Sequence, residues 1–157
     1  MRARAIALTV ALCFVFVAVS FAAAALMGTW KLNEAKSKLS PTLGKNRTVV
    51  IEAVGDNLKI TNDGIDSDGK PTHSEWVGKF DGKDYPVTRL PASEAPRSFS
   101  AKKINDHTWE FTNKYGGKVS NSGRMVISAD GKTRTTTRSG TDSKGNKYTN
   151  IEVYEKQ

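Results

Sequence analysis

From Gly28 onward, apolar residues stand mostly alone between polar ones, with a spacing of two rather than three or four. In Arg47–Val54, positions Val49, Ile51 and Ala53 fall on one face, and Thr48, Val50, Glu52 and Val54 on the other. Gly55-Asp56-Asn57 turns the chain, and Leu58-Lys59-Ile60-Thr61 runs back. The arrangement then repeats. Asp66–Pro71 is a turn, Thr72–Phe80 a strand with Trp76 and Phe80 on one face, and Asp81-Gly82 a turn into a short strand over Asp84–Thr88. Arg89–Arg97, with Pro91 and Pro96, reads as a surface loop. Strands follow at Ser98–Ile104, His107–Asn113, Lys118–Ser128, Lys132–Gly140 and Asn146–Glu155, joined by short Gly- and Asn-containing links. Between the first strand and Arg47, the polar stretch Lys31–Asn46 has room for one helical turn near Asn33–Lys38.

Links this short make sequence neighbours into sheet neighbours, so the pattern predicts an all-β, antiparallel, up-and-down barrel of about 8–10 strands. An open sheet of that width would leave two edges unpaired. A two-sheet sandwich is the alternative, but no long Greek-key crossover is visible.

The N-terminus has a different pattern. Arg2 and Arg4 precede an apolar run from Ile6 to Phe21, and Ala22–Ala25 supplies small residues. These are the three parts of a secretory signal. The run is 16 residues, shorter than the roughly 20 of a spanning helix. Residues 1–25 are therefore expected to be a removed signal peptide and 26–157 one barrel domain. The only cysteine, Cys13, leaves with the signal, so the exported part relies on packing and backbone pairing without disulfides. The formal charge falls from +8 to +6 on removal. That balance fits loose association with an anionic envelope surface.

Gly28-Thr29-Trp30-Lys31-Leu32 opens the first strand. A Gly-x-Trp here predicts that Trp30 plugs one barrel end while Gly28 lets the backbone bend beneath it. This stretch resembles the opening of lipocalins and fatty-acid-binding proteins, the calycin superfamily. Val153-Tyr154-Glu155-Lys156 resembles the last strand of the fatty-acid-binding branch. The resemblance implies a calycin barrel with a ligand inside. Two features depart from that branch. Asn33–Asn46 is too short for its pair of lid helices, and Glu152 stands where its carboxylate-binding Arg precedes the final Tyr, here Tyr154. An acid there repels a carboxylate. A secreted, lidless barrel is more similar to the lipocalin-like proteins of bacterial envelopes.

Trp30, Trp76, Trp109, Phe80, Phe99 and Phe111 are the aromatics available either to line a cavity or to fill the barrel. Arg124, Arg134 and Arg138 offer an inward cation for an anionic headgroup, supported by Tyr148 or Tyr154. Because Thr133, Thr135 and Thr137 alternate with Arg134, Thr136 and Arg138, both faces are polar and the inner one is undecided. The ligand-binding set expected from the sequence is Trp76, Phe80, Trp109, Phe111, Arg124, Arg138, Tyr148 and Tyr154, with Gly28 and Trp30 structural at the barrel end. Asp66-Ser67-Asp68-Gly69 partly matches a calcium loop, but a hairpin turn explains it better. His73 and His107 make no zinc site without several carboxylates, and no nucleophile elbow or phosphate loop occurs. No enzyme, metal or cofactor is expected, and no recognisable nucleic-acid module is present. The sequence thus predicts a monomeric secreted or periplasmic protein binding a small hydrophobic or amphipathic molecule. The alternative is an envelope interaction module with a packed core and a basic outer surface.

Overall fold

The computed structural model describes residues 21–157; the charged start and most of the apolar run of the expected signal lie outside the described residues. A short helix, α1 (Phe21–Leu26), leads into ten strands. These are β1 (Gly28–Leu32), β2 (Lys45–Val54), β3 (Asn57–Ile65), β4 (Pro71–Gly78), β5 (Tyr85–Leu90), β6 (Arg97–Asn105), β7 (Thr108–Tyr115), β8 (Lys118–Ile127), β9 (Thr133–Thr141) and β10 (Lys147–Lys156). A single 3-10 turn, Glu34–Lys36, interrupts the β1–β2 connection; the Asn33 side chain caps it by accepting from the Lys36 amide at 3.1 Å.

Each strand pairs antiparallel with its sequence neighbours, and β1 pairs with both β2 and β10, so the sheet closes. Trp30 lies between Val49 of β2 and Lys156 of β10 in the ladder. Closure removes both edges, as the short links require. Gly28 and Gly123 are required as glycine for different reasons, one by its backbone conformation and one by lack of space. Gly28 has φ 115° as the chain turns from α1 into β1, and a Cβ on Gly123 would collide with the Thr137 carbonyl of the neighbouring strand.

Alternation then sorts the side chains. Val49, Ile51, Ile60, Trp76, Phe111, Met125, Ile127 and Tyr154 point inward and form the core with Leu26, Trp30 and Trp109. Because successive strands run in opposite directions, the chain termini gather at one barrel end with the β2–β3, β4–β5, β6–β7 and β8–β9 turns. That end is closed. Trp30 is fully buried there, and its indole Nε1 donates to the Leu26 carbonyl at 2.8 Å. The guanidinium of Arg134 sits 5.6 Å from the Trp30 ring and 4.2 Å from the Tyr154 ring, and the Lys156 ammonium lies 5.2 Å over Trp30. Two cations thus rest on aromatic faces in the low-dielectric floor. The opposite end carries the β1–β2, β3–β4, β5–β6, β7–β8 and β9–β10 connections. In the β3–β4 connection, the Asp66 carboxylate accepts from the Asp68 and Lys70 amides at 2.9 Å each, which makes it a turn-closing group.

Candidate functional site at the open end of the barrel

Inside the barrel a cavity of about 210 Å³ runs from the end opposite Trp30 down to Trp76, Phe111 and Arg134. One wall is aromatic. The Trp76 and Phe99 rings meet edge to face with centroids 5.2 Å apart, and Phe99 and Phe111 stack at 5.9 Å. Trp76 is fixed by its Nε1 donating to the Phe99 carbonyl at 3.1 Å, and by the Phe80 and Tyr85 rings behind it at 5.7 and 5.8 Å. These contacts fix the ring positions and make this wall apolar.

The facing wall is polar and cationic. Arg138 donates to the Glu152 carboxylate at 2.5 Å, across the β9–β10 pair. The Tyr154 hydroxyl has two acceptors within reach, the Asn46 carbonyl at 3.2 Å and the other Glu152 oxygen at 3.3 Å. Burial, reinforced by the charge of Glu152, pushes the Tyr154 phenol well above its ordinary value, so it stays neutral and donating. Burial pulls Arg134 downward from its ordinary value, and the nearby Tyr154 and Glu152 oppose that pull. A guanidinium keeps its charge through such shifts.

Nearer the rim stand Arg89 on β5 and Arg97 on β6, with Asn62, Asn113 and Asn121. Arg97 is held over the Tyr115 ring at 4.9 Å, and its Nε is buried without a hydrogen-bond partner. Lys114, also on the lining, is paired with Asp84 at 2.5 Å. Among the described residues, Arg89, Arg97 and Arg134 have no carboxylate within ion-pair distance, and Glu152 is the only acid on the lining. The cavity therefore carries an excess of positive charge against an aromatic wall.

Of the residues expected from the sequence, the structure brings Trp76, Phe111, Arg138 and Tyr154 together on this cavity. It places four elsewhere. Arg124 faces outward, because its ladder partner Glu110 lies beside it and binds it at 2.7 Å on the solvent side. Trp109 is packed into the buried core away from the cavity lining, and Phe80 backs Trp76 from behind. Tyr148 faces inward nearer the rim, opposite Gly140, and does not reach the lining. Arg89 and Arg97 were hidden by the loop reading of 89–97: only residues 91–96 form the connection, and both arginines are strand residues. A larger hollow of about 810 Å³ lies on the outer wall across β6–β9, where Arg124 is already neutralised by Glu110.

No family model and no curated protein matches the chain. Among solved structures it is similar to "Structure of a redesigned beta barrel, mFAP1, bound to DFHBI", at 18% identity and a TM-score of 0.46, over 88% of this chain and 100% of that one. At that distance the likeness says nothing of a ligand. The ten-strand barrel stands on this chain's own closed ladder.

Proposed function

We propose that the protein is an exported, non-enzymatic, lipocalin-like carrier that holds one small amphipathic molecule in the open end of its barrel. The observation that carries this reading is the two-faced cavity: Trp76, Phe99 and Phe111 on one side, arginines and amides on the other. Binding sites for small molecules combine an apolar body with a few placed polar groups in this way. Its volume of about 210 Å³ lies below the roughly 300–1,000 Å³ of pockets for drug-sized ligands. A compact ligand with a flat apolar part suits it better than a long acyl chain. Export is supported by the Arg2/Arg4 start and the apolar run that follows.

The test is native mass spectrometry of the protein isolated from its own host, followed by organic extraction and identification of what is released. A single small molecule at near-stoichiometric occupancy is the expected result. An empty protein that also fails to brighten an apolar fluorescent probe would move the function to the basic outer surface, the envelope-module alternative.

A further inference from the structure

We infer that Arg89 and Arg97 form an anion subsite at the barrel rim, which seats the negatively charged head of an amphipathic ligand while its apolar body points inward to Phe99 and Phe111. The inference rests on the carrier reading above and adds the ligand's charge and its orientation. Arg97 pairs with Val87 in the β5–β6 ladder, and Arg89 lies two residues further along β5 on the same face. The two arginines are thus diagonal neighbours, roughly 7–8 Å apart at the backbone, which two long side chains span easily.

The other cations on the lining are either paired with an acid or enclosed in the floor. Arg138 is bonded to Glu152, Lys114 to Asp84, and Arg134 rests between the Trp30 and Tyr154 rings in the floor. Arg89 and Arg97 have no such acid among the described residues, and the Arg97 Nε, like those of Arg134 and Arg138, is buried without an acceptor. Two neighbouring guanidiniums repel each other, and burial together with Arg89 pulls Arg97 down from its ordinary value. An oxyanion between them relieves the repulsion, and planar guanidinium forks suit such an anion. Deeper in, Glu152 is already neutralised by Arg138, and Arg134 is enclosed by the Trp30 and Tyr154 rings at 4% exposure, so the accessible unpaired cations are the pair at the rim. The head therefore sits outward.

The experiment compares 1-anilinonaphthalene-8-sulfonate with its uncharged parent, N-phenyl-1-naphthylamine, by fluorescence titration at low salt. The protein should prefer the sulfonate, and Arg89→Gln/Arg97→Gln should lower that preference, the ratio of the two Kd values, at least tenfold. Arg124→Gln, which removes an outer charge, should leave the ratio as it was. If circular dichroism shows the double variant unfolded, either single variant gives the same reading, with a drop of at least threefold. If the ratio survives these substitutions, or the wild type shows none, the subsite is wrong while the carrier reading stands. If neither probe binds the wild type, the carrier reading falls and the subsite with it. Displacement of the sulfonate by equal concentrations of inorganic phosphate would show a simple inorganic-anion site and overturn the amphipathic assignment.

Discussion

The indole Nε1 of Trp30 donates to the carbonyl of Leu26 at 2.8 Å, so the tail of the short leading helix is part of the barrel floor. Both side chains are fully buried. Leu26→Ala opens a cavity beside the Trp30 ring and should cost about 2–5 kcal/mol in urea unfolding. Trp30→Phe keeps an aromatic plug but strands the carbonyl, and a smaller loss of about 1–3 kcal/mol is expected. Losses near zero for both would show that the floor is not packed as described.

Glu152 and Arg138 form a largely buried ion pair, with side chains 8% and 21% exposed. Removing one partner leaves the other charge uncompensated. Glu152→Gln should therefore destabilise by about 3 kcal/mol, and the double variant Glu152→Gln/Arg138→Gln by clearly less than the sum of its parts. An additive double-mutant cycle would contradict the coupling.

Tyr154 gives the protein an alkaline limit. Its folded-state pKa is raised above the ordinary 10.0, mainly by burial. Below pH 10 both folded and unfolded states hold the proton. Above it only the unfolded state releases it, and stability falls by about 1.4 kcal/mol per pH unit for this one group. Tyr154→Phe should flatten that decline between pH 10 and 11, measured as the urea midpoint against pH.

On the acid side the sign is opposite. Lys45 holds Glu34, Lys59 holds Glu75, and Lys114 holds Asp84 below their ordinary carboxylate values. Their contribution is present above the unfolded-state values of 3.8–4.5 and is lost as pH falls through the lower folded-state values. All three pairs are exposed, so the loss should be shallow and should shrink further in added salt.

Arg124 is a useful negative case. It is exposed and paired with Glu110, so Arg124→Ala should change stability by less than about 1 kcal/mol and leave probe affinity unaltered. A marked loss of probe binding would mean the ligand occupies the outer wall.

The strands were legible because one face of each is buried, which stamps a period of two on residues such as Val49 and Ile51 or Trp109 and Phe111. Trp30 as the plug was legible from a different signal, the Gly-x-Trp opening of the first strand. The cavity was harder to read. On β9 both faces are polar, and only closure against β8 and β10 decides that Arg134, Thr136 and Arg138 turn inward. Glu152 read as an isolated acid because its partner, Arg138, is on another strand. Arg89 and Arg97 were lost to the two prolines between them: a local turn signal overrode strand ends that are fixed by pairing with β4 and β7.

A carrier of this kind takes its ligand in at the end opposite Trp30, and the three indoles report on that directly. Trp76 lies on the cavity, while Trp30 and Trp109 are packed in the core. In ¹⁵N-resolved NMR spectra, titration with 1-anilinonaphthalene-8-sulfonate should move the Trp76 indole resonance strongly and leave those of Trp30 and Trp109 nearly in place. A shift confined to Trp30 or Trp109, or none at all despite probe binding, would contradict it.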